Sequence, residues 1–311
     1  MTAGPVKIVE CPRDAWQGLP GRIPAEIKAR YLAALIAAGF THIDAVSFVS
    51  PHAIPQMADS EEVLALLRPS GNVEIIGIVV NPRGVERALR TAAVRTVGFP
   101  YSVSQEFLRR NQNQSAQEAL TALDQIAAVV RGEKLNLIAY LSMAFGNPYG
   151  EPWEIDSTIT ACHVLAGMGV GQISLADTVG VATAEQVFSL VSAATAAFAA
   201  PGGEAIEIGV HLHSAPGQAA QKIVAAYDAG CRRFDMALGG LGGCPFAQNT
   251  LVGNVATEEA LSALHRRGAI LPRLHLLDEL LTMSQSIAGE FGGKHEPFKG
   301  NGHHGEELRR H

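Results

Sequence analysis

Eight short runs rich in β-branched residues alternate with Ala- and Leu-rich stretches of helical period, and this alternation restricts the chain more than any of its other features. The runs fall at residues 6–12, 42–48, 73–80, 96–101, 135–142, 172–177, 206–213 and 233–238. Helices are expected between them at 25–38, 61–67, 115–130, 155–168, 184–198 and 215–229. A helix between two strands carries the chain back to the end where the first strand began, so the strands pair in parallel. Eight parallel strands are the number that closes an α/β (β/α)8 TIM barrel. Glycines that stop helices stand just before strands at Ala38-Gly39, Gly167-Met168-Gly169 and Ala229-Gly230. The competing open, doubly wound sheet requires a glycine-rich phosphate loop after its first strand, and Pro12-Arg13-Asp14-Ala15-Trp16 is not one.

Helical patterns at 257–266 and 274–286 add a short helical C-terminal extension. A single barrel domain is therefore expected over 1–290, followed by a flexible Gly/His-rich tail at 291–311. The tail histidines His295, His303, His304 and His311 read by composition as solvated. With 47% hydrophobic and 17% charged residues, the chain has ample material for one large core. A net charge of −6, with no basic stripe carrying interleaved aromatics, argues against a nucleic-acid partner and for small-molecule chemistry. No apolar run approaches the roughly 18 residues that span a membrane, so no membrane association is expected. The N-terminus has no leader-like pattern, and the four cysteines form no CxxC pair, which fits a reducing cytoplasm.

In a barrel of this kind, chemistry gathers at the C-terminal ends of the strands. Polar residues stand at those ends here: Arg13 and Asp14, Asp44 and Ser47, Asp177 and Thr178, and His211 and His213. His211-Leu212-His213 places two imidazoles on one strand face, with Cα atoms roughly 6–7 Å apart, a spacing that a metal can bridge. HxH is also an ordinary strand ending. Asp14 adds a carboxylate at the end of the first strand. An Asp in that place can cap the next helix, but that helix is expected to begin near Pro24, ten residues on. Arg13 presents a planar fork suited to an oxyanion. Imidazole and oxygen donors without a thiolate suit Mg²⁺ or Mn²⁺ better than structural zinc. Cys244, flanked by Gly239-Gly240-Leu241-Gly242-Gly243 and Pro245, is in no packing context and reads as an exposed, functional thiol.

Together these segments resemble the 3-hydroxy-3-methylglutaryl-CoA lyase family, a branch of the DRE-TIM metallolyases. The resemblance runs from residue 6 to about 286. It is carried by Val6-Lys7-Ile8-Val9-Glu10, Ser47-Phe48-Val49-Ser50-Pro51, Pro55-Gln56-Met57-Ala58-Asp59, Gly240-Leu241-Gly242-Gly243-Cys244-Pro245-Phe246-Ala247-Gln248 and Gly253-Asn254. It implies one divalent cation held by Asp14, His211, His213 and Asn254. It also implies an acyl-CoA substrate cleaved by a retro-Claisen reaction to acetyl-CoA and a 3-oxo acid. Arg13 would neutralise the enolate and Cys244 would move a proton. Asp44 stands where the family has glutamate, and Asp14, Asp177 and His211 are the candidate acceptors of the hydroxyl proton. Arg22, Gln17 and Ser47 are expected on the CoA side. A homodimer is compatible with this reading.

The chain also departs from the family pattern. The stretch before Arg13-Asp14 is one residue shorter, which inverts a strand's facing unless a bulge absorbs it. Asp44 is one methylene shorter than the family glutamate, and Ser214-Ala215-Pro216-Gly217-Gln218 replaces Asp-Thr-Tyr-Gly-Gln. The metal set and the thiol are kept while the residues around the substrate are rewritten, so a different 3-hydroxyacyl-CoA is expected. Two other readings share the barrel. Condensing synthases of the isopropylmalate type have the HxH motif, but typically carry further domains and lack the Gly-Leu-Gly-Gly-Cys loop. A non-catalytic acyl-CoA-binding barrel would have no use for four buried ligands, Arg13 and Cys244.

Overall fold

The computed structural model describes residues 4–69, 71–199, 206–215, 217–242 and 252–292. Eight parallel strands run in chain order: β1 (Lys7–Glu10), β2 (His42–Ser47), β3 (Glu74–Ile78), β4 (Val94–Ser102), β5 (Asn136–Ser142), β6 (Gln172–Asp177), β7 (Glu207–Ser214) and β8 (Arg233–Met236). Each pairs with the next, β8 returns to β1, and the (β/α)8 barrel closes. A two-residue strand, β9 (Gly253–Asn254), lies antiparallel on β7 with Asn254 opposite His213. The helices are α1 (Pro12–Gln17), α2 (Ala25–Ala37), α3 (Ser60–Leu67), α4 (Pro82–Arg90), α5 (Gln105–Gln112) and α6 (Ala116–Glu133). They continue with α7 (Ile155–Gly167), α8 (Ala184–Ala197), α9 (Ala219–Asp228), α10 (Thr257–Arg266) and α11 (Leu277–Phe291).

Local chemistry explains where the helices start and stop. Ser115 and Glu118 form a reciprocal capping box on α6, and Thr183 and Gln186 form one on α8. Gly39 and Gly230, after α2 and α9, take φ near +100°, a conformation that ends a helix at little cost only in glycine. Three helices depart from the sequence expectation, which left α1, α4 and α5 as connections. The first matters most. Pro12 occupies the first turn of α1, so Arg13 and Asp14 enter the barrel mouth from a helix and not from a strand end. The missing residue before them therefore inverts nothing: β1 pairs in continuous register with β8, and the facing is reset by the turn into α1. Of the tail expected at 291–311, Phe291 belongs to α11, and residues 293–311 lie outside the described residues.

Apolar residues fill two regions. The larger lies between the barrel and its helices. The smaller, made of Val9, Cys11, Ile76, Ile78, Ile138 and Tyr140, fills the barrel interior beneath the mouth. Glu10, at the end of β1, is 1% exposed. Its carboxylate oxygens accept from the Leu238 amide at 2.7 Å and the Thr257 hydroxyl at 2.6 Å, which fixes the chain leaving β8 and the start of α10. Burial pushes the Glu10 carboxyl up to about 8, against an ordinary value of 4.5. The folded state then binds the proton more tightly than the unfolded chain, so this group's contribution is complete at acid pH and is lost as pH rises through about 8. Glu10→Gln should flatten the fall in melting temperature between pH 5 and pH 9. A variant whose profile runs parallel to that of the parent would count against a protonated Glu10.

Candidate metal centre

The alternation of β7 turns His211 and His213 to the barrel interior, with ring centroids 5.2 Å apart and both side chains buried. Asp14 faces them from α1. One ligand atom from each of Asp14, His211 and His213 lies within 4.8 Å of the other two. Asn254, opposite His213 on β9, donates from Nδ2 to Asp14 Oδ2 and to the Leu241 carbonyl, both at 2.9 Å. Its Oδ1 is thereby left buried with no partner, as is Nε2 of His213. Buried polar atoms without partners are rare in folded proteins and call for a ligand. The donor set is two imidazoles, a carboxylate and an amide oxygen, which fits a hard divalent cation.

The surrounding groups set orientation and charge. His213 Nδ1 lies 2.9 Å from the Thr178 carbonyl; as a donor there it leaves Nε2 with the lone pair a metal needs. Burial, against the attraction of Asp14, lowers the His211 pKa to about 4, so the ring is neutral at pH 7. Burial alone would raise the Asp14 carboxyl, but Arg13, the two histidines and the Asn254 hydrogen bond hold it well below its usual range. Arg13 is 7% exposed and is gripped on three sides. Its Nε and Nη2 donate to the two oxygens of Asp44, and its Nη1 donates to Asp14 at 2.9 Å and Gln17 at 3.1 Å. A register shift between Asp44 and Val46 lets β2 present Asp44 inward. Gly242, at φ +85°, passes over this group so closely that a Cβ would come within 2.7 Å of Ala15 Cα and 2.9 Å of both Asn254 Nδ2 and the Asp14 carbonyl.

The HMGL-like family model matches residues 6–287. The chain belongs to the HMGL-like family. A hydroxymethylglutaryl-CoA lyase of Bacillus subtilis is 34% identical, covering 82% of this chain and 83% of that protein. A Pseudomonas aeruginosa relative, named 3-hydroxy-3-isohexenylglutaryl-CoA/hydroxy-methylglutaryl-CoA lyase, is 33% identical over 84% of this chain and 85% of its own length. The structure of an Acinetobacter baumannii HMG-CoA lyase in complex with coenzyme A and 3-methylmalate superposes with a TM-score of 0.84 at 30% identity, covering 94% of each chain. Membership makes this chain a carbon–carbon lyase, the class expected from its motifs.

A segment with no chemistry of its own supports this centre. Gln56 Oε1 accepts from Ile23 N at 3.0 Å, and its Nε2 donates to the Gly21 carbonyl at 2.8 Å. Lys28 reaches the Gln56 carbonyl and pairs with Asp59 at 2.7 Å. Pro55-Gln56-Met57-Ala58-Asp59 is thus a buried clamp on the chain between α1 and α2, and so on the helix that carries Arg13 and Asp14.

The remaining sequence candidates are spread around this centre. Asp177 is 1% exposed and is held by Lys222 at 2.8 Å and by the Ala182 amide at 3.2 Å. Lys222 also donates to the His213 carbonyl at 3.0 Å, which ties the ends of β6 and β7 together. Ser47 is fully buried, its amide and carbonyl both bound to the Ser60 hydroxyl. Gln17 is half-buried against Arg13, and Arg22 is exposed. Cys244 lies outside the described residues.

Two side chains missed in the sequence stand beneath the histidines. Asp235 Oδ2 lies 4.0 Å from His211 Nδ1 and accepts from the Ser174 hydroxyl at 2.6 Å, while Arg233 pairs with its other oxygen at 3.3 Å. Tyr140 meets the His211 ring edge-on. Inward positions on β5, β6 and β8 were the available signal, and a buried strand read as a continuous apolar run conceals it. If the cluster binds a cation, titration calorimetry should show one divalent-ion site per chain. His213→Ala should weaken it by more than about tenfold, and unchanged affinity would remove His213 from the site.

Proposed function

We propose that this chain cleaves the C2–C3 bond of a 3-hydroxyacyl-CoA closely related to 3-hydroxy-3-methylglutaryl-CoA, giving acetyl-CoA and a 3-oxo acid. The observation that carries this reading is the convergence of Asp14, His211, His213 and Asn254 on one place, with the Arg13 guanidinium beside it. Asp14, His211, His213 and Asn254 would hold Mg²⁺ or Mn²⁺, which acidifies the substrate 3-hydroxyl and draws its negative charge. Loss of that proton lets the C2–C3 electron pair move to C2 as C3 becomes a ketone, and a thioester enolate remains. Arg13 is placed to meet the enolate oxygen as a fixed cation in a buried site. Of the three candidate acceptors for the hydroxyl proton, Asp177 is bound by Lys222 and Asp14 by Arg13 and Asn254, which favours His211. Arg22, exposed between α1 and α2, supplies a cation for the CoA phosphates, with Gln17 behind it. Three buried, unbridged cysteines, Cys11, Cys162 and Cys231, agree with a reducing cytoplasm. No described helix is long and apolar enough to cross a membrane.

The C3 substituent is where we place this chain's departure from relatives named for hydroxymethylglutaryl-CoA. Asp44, fully buried in the Arg13 fork, and Ser214, whose hydroxyl is turned to the Ala215 carbonyl, replace larger or charged family residues. The Pseudomonas relative carries both a methyl and an isohexenyl substrate in its name, so the family tolerates change at C3. In a panel of 3-hydroxyacyl-CoAs assayed with Mg²⁺ or Mn²⁺, a larger or differently polar C3 group should release acetyl-CoA faster than methyl. Highest turnover with methyl would reject that choice of substrate.

Cys244 completes the reaction as the donor of the proton that C2 takes up. Cys244→Ser should lower kcat by roughly 10²–10⁴, the usual worth of a positioned proton donor, while cation and substrate affinity hold. Undiminished turnover in the serine variant would assign that proton to another group.

A further inference from the structure

We propose that the phenol of Tyr140 is a second hydrogen-bond donor to the thioester oxygen of the substrate, working beside Arg13. The inference rests on the lyase reading above and adds a residue to it. It begins with a count of donors. Four of the five N–H groups of Arg13 are already given to Asp44, Asp14 and Gln17, leaving a single Nη2 hydrogen for the substrate. An oxygen that becomes an enolate is stabilised best by more than one donor aimed at it, and a second donor is therefore wanted in the same buried space.

Tyr140 stands in that space. It belongs to the interior cluster with Cys11 and Ile78, at the level of the barrel where His211 also projects inward. Its ring meets His211 edge-on, with centroids 6.1 Å apart and an interplanar angle of 86°. The residue is 7% exposed, and its hydroxyl is buried with no hydrogen-bond partner. A phenol in a core normally finds a partner, and one left without costs stability. Its neighbours make deliberate room for it: a Cβ on Gly98, on the adjoining strand β4, would come within 2.8 Å of Tyr140 Cε2 and 2.7 Å of Ile78 Cδ1. His211 Nε2 in turn lies 3.8 Å from Asp14 Oδ2, and Asp14 accepts from Arg13 at 2.9 Å, so the ring that Tyr140 meets belongs to the same cluster as Arg13.

The competing account makes Tyr140 a filler of the barrel interior and a wall for His211. Phenylalanine would serve those purposes equally, which makes Tyr140→Phe the deciding variant. It keeps the ring, the packing and the edge contact, and removes only an unpartnered hydroxyl. Parent and variant are compared on the best substrate of the panel, with melting temperature and cation affinity measured alongside. The expected result is a fall in kcat of about 10²-fold, the usual effect of losing one oxyanion donor, with cation affinity unchanged and the melting temperature equal or higher. A variant as active as the parent overturns the inference alone. So does a loss of activity that follows a matching loss of cation affinity, because Tyr140 would then act only through His211. A parent that cleaves no member of the panel overturns the lyase reading and this inference with it.

Discussion

The Asp14 carboxylate is the knot on which the mouth of the barrel depends. One oxygen accepts from Arg13, the other from Asn254, across 240 residues of sequence. The first bond fixes α1 to the end of β2 through the Arg13–Asp44 fork, and the second fixes β9 to α1 above β7. Neither tie is cheap to maintain, because each keeps charged or polar groups away from water. Burial of this kind is sustained only by mutual satisfaction, and here it is nearly complete: Arg13 keeps one free hydrogen and Asn254 one free oxygen. Those two loose ends lie on either side of Asp14, where a substrate oxygen and a cation would be received.

Behind the knot, a second set of contacts decides which way each ligand points. The Thr178 carbonyl, 2.9 Å from His213 Nδ1, fixes the orientation of that ring. Lys222 bonds Asp177, the Gly180 carbonyl and the His213 carbonyl together, so the ends of β6 and β7 cannot separate without exposing a buried charge. The ends of the barrel divide the work. Near the start of the strands, Lys7 pairs with Glu207 at 2.7 Å and Glu74 accepts from Thr96 at 2.6 Å, contacts that close the floor and face no substrate. Chemistry is confined to the opposite end, as in other barrels.

Much of this was legible in the sequence because the signals are local and periodic. Eight β-branched runs appeared as eight strands, and the period of two put His211 and His213 on one face. Asp14 was read from its place after the first strand, and the family resemblance supplied Asn254, which is far from it in sequence and shares no local pattern with it. What escaped has physical reasons. α1 is too short to show a helical period, and its Pro12 looks equally like a turn. α4 and α5 are only nine and eight residues long and rich in Arg, Glu and Gln, so their few apolar positions are too short a run to announce a helical period. Asp235 and Tyr140 sit within strands and become important only when the barrel closes and brings β5, β7 and β8 around one axis.

That closure bears on why positions 214 and 215 can depart from the family pattern while Asp14, His211, His213 and Asn254 are kept. The ligands are interlocked: removing Asn254 frees Asp14, and freeing Asp14 loosens Arg13 from one of its anchors. A change at any of them spreads through the others, and such coupled positions tolerate substitution poorly. Ser214 and Ala215 touch that network only at its edge; the Ser214 hydroxyl is satisfied by the next residue's own carbonyl. Replacing a carboxylate there leaves no buried charge without a partner, so that edge of the mouth can change without disturbing the centre. Asp44 is the exception, since it belongs to both regions. Its shorter side chain is accommodated because β2 shifts register beside it and delivers the carboxylate squarely to the Arg13 fork. The Arg13 guanidinium is thereby held in one place beside Asp14 and the histidines.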